Sequence, residues 1–191
     1  MKPMAITGSR TRPPRALEVC DTLEQQLCLR INALARHPGV RRLFAVVSRL
    51  GDGVFWYMLM AACAVGLGPA GRVAALQMGL AALLGVAVYA GLKRRLVRER
   101  PFVSHAGIVC ATPPLDRYSF PSGHTLHAVL FTTLAVAWFP VLAIVLVPFA
   151  LLVAASRVIL GLHYPTDVFV GALLGALIAK SALWIQPPFA P

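Results

Sequence analysis

Between Ala16 and Arg36 apolar residues recur at helical spacing, and Ala16, Cys20, Leu23, Leu27, Ile31 and Leu34 share one face. Glu18, Asp21, Glu24, Arg30 and Arg36 interrupt the run too often for a membrane span. The pattern predicts an amphipathic helix, either lying at a bilayer interface or packed on the protein itself. His37-Pro38-Gly39 ends it, and Val40 to Leu50, with Arg41, Arg42 and Arg49, forms a second short amphipathic piece. Gly51-Asp52-Gly53 closes that piece, and Asp52 between two glycines is expected to be a helix cap.

The chain then changes character. Val54 to Leu67 is apolar and stops at the turn signal Gly68-Pro69-Ala70-Gly71. Val73 to Leu92 is a run of twenty residues without a charge, the length of one membrane span. Lys93 to Arg100 is densely basic, and Phe102 to Phe120 is a polar loop long enough to carry function. Thr125 to Ser156 contains no Asp, Glu, Lys or Arg; it exceeds one span, and Pro140 divides it into two short helices. Arg157 to Asp167 is a second polar connection, followed by a last apolar helix from Val168 to Trp184. The expected fold is all-α: a polytopic bundle of about five transmembrane helices over 54–186, amphipathic interfacial helices over 16–53 and a flexible basic arm over 1–15. The arm lacks the apolar stretch of a secretory signal peptide.

Composition agrees. Of the residues 58% are hydrophobic and 13% charged, with mean hydropathy +0.74, which excludes an ordinary soluble domain. Lys and Arg number 18 against 7 Asp and Glu, a formal +11. In a bilayer protein this balance points to anionic headgroups or a phosphate-bearing substrate, and not to nucleic acid, because no soluble module interleaves the cations with aromatics. Cys20, Cys28, Cys63 and Cys110 form neither a CxxC pair nor a zinc spacing, so no disulfide framework or metal site is expected.

With five spans, the unusual polar residues of the apolar half collect on one membrane face, where ionisable groups are functional suspects. Lys93 and Arg100 are seven positions apart, two turns if the helix continues, while Arg94, Arg95 and Arg98 between them look like interfacial anchors. Pro121-Ser122-Gly123-His124 opens a helix: Ser122 suits the N-cap, and free N–H groups at Gly123 and His124 suit an anion. Ser156-Arg157 closes the next helix, and His163 and Asp167 follow around Pro165. Asp167 is then placed to accept from one ring nitrogen of His163, leaving the other as a nucleophile. Two histidines, a carboxylate, three cations and a helix start on one face fit phosphoryl transfer. No carboxylate cluster is available for Mg²⁺, so no metal or other cofactor is expected. His105, Asp116, Arg117 and Tyr118 precede the tetrad and are as readily structural as headgroup contacts.

Lys93-x6-Arg100-Pro101, Pro121-Ser122-Gly123-His124 and Ser156-Arg157-x5-His163-x3-Asp167 together resemble the three-part signature of the type 2 phosphatidic acid phosphatase (PAP2) family. The resemblance implies that His163 attacks phosphorus and forms a phosphohistidine, with Asp167 orienting it. It implies that His124 protonates the leaving oxygen and later activates water, and that Lys93, Arg100, Ser122, Gly123 and Arg157 hold the phosphoryl oxygens. The implied protein is a bacterial inner-membrane lipid phosphatase acting on undecaprenyl diphosphate, phosphatidylglycerophosphate or a related lipid phosphate. Alternatives are a lipid-to-lipid phosphotransferase and a non-catalytic lipid-phosphate binding or transport protein. The resemblance favours an active site facing the periplasm. The nine basic residues within 1–53 would instead make that face cytoplasmic by the positive-inside rule. Gly171 and Gly175 match a GxxxG spacing that close packing within the bundle explains as well as dimerisation does, so oligomeric state is left open.

Overall fold

The computed structural model describes residues 15–114 and 116–188, without the side chains of residues 15–21. The basic arm expected over 1–15 lies outside them except for the backbone of Arg15, and the side chains of Ala16 and Cys20 lie outside as well. Every regular element described is helical: α1 (Arg15–Asn32), α2 (Pro38–Leu50), α3 (Val54–Gly66), α4 (Gly68–Arg95), the single turn α5 (Pro101–Ser104), α6 (Gly123–Trp138), α7 (Ala143–Ile159) and α8 (Pro165–Ile185). The Gly68–Gly71 turn signal proves shorter than expected, because Gly68, with φ of +63°, makes the corner and Pro69 then sits in the first turn of α4.

Among the described residues three helices are long and apolar enough to cross a membrane singly: α4, α8, and α7 together with the 3-10 turn Pro140–Leu142. Helices α2 and α3 meet the same test only as a pair, bent by 49°. The 16 residues of α6 rise about 24 Å, and α4, α7 and α8 all pack on it. Leu126, Leu130, Phe131, Leu134 and Trp138 of α6 are all buried, so this helix is apolar all round because protein surrounds it. Trp56 of α3 stacks on Phe131, and Phe55 meets Phe149 of α7. The outer surface carries Leu76, Leu80, Leu83, Ile144, Leu151, Phe169 and Trp184 exposed, far more apolar area than water tolerates, which makes this a multi-pass membrane protein.

Close contact between α6 and α8 fixes the reacting end. A Cβ on Gly171 would lie 2.5 Å from the carbonyl oxygen of Ser122, and one on Gly175 would lie 2.3 Å from that of Leu126. Only glycine fits at either position, and both contacts lie within the bundle. One turn earlier, the backbone N–H of Ser122 donates to the Asp167 carbonyl at 3.0 Å, so the starts of α6 and α8 lie side by side.

Helix α1 packs on the protein along one stripe. Cys28, Asn32 and the following Ala35 are buried against the protein, while Leu23, Leu27 and Leu34 point outward. The protein thus takes the stripe that contains Glu24, Cys28 and Asn32, and the leucines on the other side stay exposed. The Asn32 side chain donates to the carbonyls of Val109 and Ile159 and accepts from the Val109 N–H, tying α1 to the long polar loop and to the end of α7.

Candidate active site

Four chain segments bring the expected residues together. His163 lies in the α7–α8 connection, where Gly161, at φ of +75°, turns the chain so that the His163 N–H returns to the Arg157 carbonyl at 3.1 Å. Its ring is 2% exposed; Arg100 and Arg157 beside it are 2% and 3% exposed. Nε2 lies 3.3 Å from Nη1 of Arg100. Burial, reinforced by Arg157, Arg100, Lys93 and His124, holds His163 well below the ordinary imidazole range, so the ring is neutral.

The expected hydrogen bond from the His163 ring to Asp167 is not formed. The His163 Nδ1 to Asp167 Oδ2 distance is 3.6 Å, beyond hydrogen-bond range, and Nδ1 has no partner. Asp167 is instead committed elsewhere: Oδ2 accepts the Tyr164 N–H at 2.8 Å, and Oδ1 pairs with Arg98 Nη1 at 2.8 Å. Arg98 therefore departs from its expected role as an interfacial anchor. It is half-buried, stacks 3.9 Å over the Tyr164 ring, and reaches Glu24 of α1 at 2.6 Å. Arg94 and Arg95 are exposed, as anchors are.

Lys93 and Arg100 converge without being two turns of one helix. Helix α4 ends at Arg95, and Arg100 follows in extended backbone as the residue that precedes α5. What unites them is Asp116, whose carboxylate takes Lys93 Nζ at 2.5 Å and Arg100 Nη2 at 2.7 Å. Burial raises Asp116, but these two cations outweigh it and hold the carboxyl below the usual carboxylate range. The other Arg100 nitrogens donate to the carbonyls of Leu162 and Asp116. Arg157 donates Nη1 to the Ser48 hydroxyl of α2, while its Nε, fully buried, has no partner.

At the start of α6, Ser122 is the expected N-cap. Its Oγ accepts the Thr125 N–H at 3.4 Å and lies 3.0 Å from the Thr125 hydroxyl. The hydroxyl is fully buried and holds the helix start in place. Gly123 and His124 line the pocket. Asp52 is not the expected helix cap: Gly53 precedes α3, and the Asp52 carboxylate pairs with Nε2 of His124. His105 sits edge-on to Tyr164, and Arg117 pairs with Glu99 beside Tyr118, so of the four loop candidates Asp116 alone lines this pocket.

The sequence reading passed over Glu24, Ser48 and His127. His127 was detectable as an ionisable residue within a charge-free span. It lines the same pocket, with Nδ1 2.9 Å from the Gly123 carbonyl. Ser48 carries no comparable signal. Among the described residues no group of three or more His, Cys, Asp and Glu side chains is arranged to hold a metal ion.

The pocket that holds the site has a volume of about 820 Å³. Lys93, Arg100, Asp116, His124, Arg157 and His163 form its polar head. Its walls descend between α3 and α4 past Trp56, Tyr57, Met60, Leu76, Leu80, Leu83 and Val86. A buried neutral imidazole among cations, continuous with an apolar groove, accommodates a phosphoryl group on an apolar chain.

The model of the PAP2 superfamily matches residues 74–190, and the chain belongs to that superfamily. Decaprenylphosphoryl-5-phosphoribose phosphatase of Mycolicibacterium smegmatis is 37% identical over 143 residues, covering 73% of this chain and 75% of that one. The crystal structure of Aquifex aeolicus LpxE superposes with a TM-score of 0.72 at 28% identity, covering 83% of this chain and 93% of that one. A transmembrane PAP2-type phosphatidylglycerolphosphate phosphatase from Bacillus subtilis shares the fold, with a TM-score of 0.66 at 24% identity, over 91% of this chain and 87% of that one.

Proposed function

We propose that this protein is an integral membrane lipid phosphatase that hydrolyses a polyprenyl-linked phosphomonoester or diphosphate through a phosphohistidine on His163, without a metal. Superfamily membership supports the phosphatase class. The observation that carries the mechanism is the buried His163 ring with Nε2 beside Arg100 at the head of the apolar groove. The name of the M. smegmatis relative supports a polyprenyl-linked substrate.

In this mechanism the phosphoryl group takes the place of the Asp116 carboxylate on Lys93 and Arg100, and meets the unpaired Nε of Arg157. With the proton of His163 on Nδ1, toward Asp167, Nε2 attacks phosphorus; the N–P bond forms as the bond to the lipid oxygen breaks. His124 gives its proton to that oxygen. His124 then takes a proton from water, whose oxygen attacks phosphorus, breaks the N–P bond and releases inorganic phosphate. The cations stabilise charge on the equatorial oxygens in both steps.

Phosphate release by detergent-purified protein with EDTA, over polyprenyl phosphates, polyprenyl diphosphates and phosphatidylglycerophosphate, tests this. Wild type is expected to act, best on a polyprenyl substrate, and His163→Ala to lose about 10⁴-fold or more. Undiminished release by His163→Ala, or dependence on added metal, rejects the mechanism. The bacterial inner membrane, with the active site on the periplasmic face, is the proposed location. Cys110 is exposed in the polar loop, so an impermeant maleimide should label it in intact spheroplasts, with Cys110→Ser as control. Labelling only after lysis would place the site on the cytoplasmic face.

A further inference from the structure

The commitment of Asp167 to Arg98 leaves a question that the catalytic scheme does not answer. A guanidinium directly on the carboxylate that faces the nucleophile weakens the support that this carboxylate gives to imidazolium charge. Glu24 addresses that. Its Oε2 takes Arg98 Nη2 at 2.6 Å, and its Oε1 accepts both the Thr166 N–H at 2.7 Å and the Thr166 hydroxyl at 2.6 Å. Arg98 Nη1 also donates to the Thr166 hydroxyl at 2.7 Å, so Glu24, Arg98 and Thr166 form a closed ring from which Arg98 also reaches Asp167. The side chains of Glu24 and Asp167 are 9% and 0% exposed, which limits solvent screening of these charges.

We propose that Glu24 and Arg98 are positioning residues for catalysis: Glu24, carried by the amphipathic helix α1, shares the Arg98 charge so that Asp167 retains its effect on His163. The inference rests on His163 being the nucleophile. With both partners present, the group of Glu24, Arg98 and Asp167 has a net charge of −1. Loss of the Glu24 charge leaves it neutral, and loss of the Arg98 charge leaves it at −2. The two losses therefore push His163 in opposite directions, whereas a merely structural latch between α1 and α8 would loosen the same way from either side. The other charged or titratable neighbours of His163 are Lys93, Arg100, His124 and Arg157. Cys28 of α1 and Tyr164 also face Asp167. All of these stay unchanged in the test.

The test follows the ring ¹⁵N shifts of His163 against pH in full-length protein labelled at its 5 histidines, with His163→Gln supplying the assignment. Glu24→Gln is expected to lower the His163 midpoint by on the order of half a pH unit, and Arg98→Gln to raise it similarly. The double variant should return toward wild type, and Glu24→Asp should stay near it. The acid limb of kcat/KM with farnesyl phosphate should move with the midpoints, while KM changes little. Shifts of the same sign in the two single variants, or none, overturn the proposal. Failure of the phosphatase reading appears separately, as no phosphate release by wild type or release that survives His163→Ala, and the NMR titration decides the charge coupling in either case.

Discussion

Gln77, in the first half of α4, donates from Nε2 to the carbonyls of Ala182 and Gln186 at the end of α8, both at 2.8 Å. Its Oε1 accepts from Trp138 Nε1 of α6 at 2.6 Å. At the opposite end of the same three helices, His163 Nδ1 and Arg157 Nε are buried without a partner, and three cations cluster around them. Both ends bury polar groups within the bundle, at a cost in desolvation that is larger for the Arg157 guanidinium of α7 than for the Gln77 amide. At the Gln77 end protein groups recover that cost at once; at the His163 end part of it is unrecovered, and on the proposed function a phosphoryl group recovers it. The first end is built for stability and the second for a ligand.

The sharpest way to break this contrast is to exchange the consequences of mutation. Arg157→Leu should lower kcat/KM by about 10²–10³-fold, because a buried donor set for the phosphoryl oxygens is lost. Its thermal midpoint in detergent should hold or rise, since an incompletely satisfied buried cation is removed. A fall in stability matching the fall in activity would make Arg157 a structural residue and erase the distinction. Gln77→Leu should do the reverse. It removes three hydrogen bonds and is expected to cost about 1–3 kcal/mol, read as a lower unfolding midpoint, with phosphate release per folded molecule unchanged. Activity lost by Gln77→Leu at temperatures where it remains folded would show that the two ends are coupled.

What the sequence made legible follows the same division. The helices were readable because a bilayer imposes long charge-free runs, and Val73 to Leu92 or Val168 to Trp184 admit little else. The short α6 was readable for the same reason, although protein, and not lipid, surrounds it. Lys93, Arg100, His124, Arg157, His163 and Asp167 were readable from residue type and fixed spacing. The pairings among them were not. Asp116, Asp52 and Glu24 meet Lys93, His124 and Arg98 across 23, 72 and 74 positions, and local periodicity holds no information on such contacts. For α1 the apolar stripe gave the helix but not its facing, because the side turned to the protein is set by Glu24 and Asn32 finding partners there. Arg98 was misread for a related reason: next to Arg94 and Arg95 it resembles another anchor until Asp167 is seen beside it.

The smallest expected effect separates a ligand-ready site from one merely short of partners. Asp116 is 40% exposed, yet it holds Lys93 and Arg100, two of the cations that line the pocket. An anion reaching them competes with that carboxylate. Its own contact with solvent eases the exchange, because the carboxylate regains hydration when it releases the buried cations. Asp116→Asn keeps the side chain's size and removes its charge, so the cations remain in place with a weaker occupant. Inorganic phosphate, as a product inhibitor, should then bind a few-fold more tightly, and KM for a lipid phosphate should fall by a similar factor, with kcat little changed. Unchanged phosphate inhibition would mean that Lys93 and Arg100 do not receive the phosphoryl group. Weaker inhibition would mean that Asp116 organises the cations and does not compete for them.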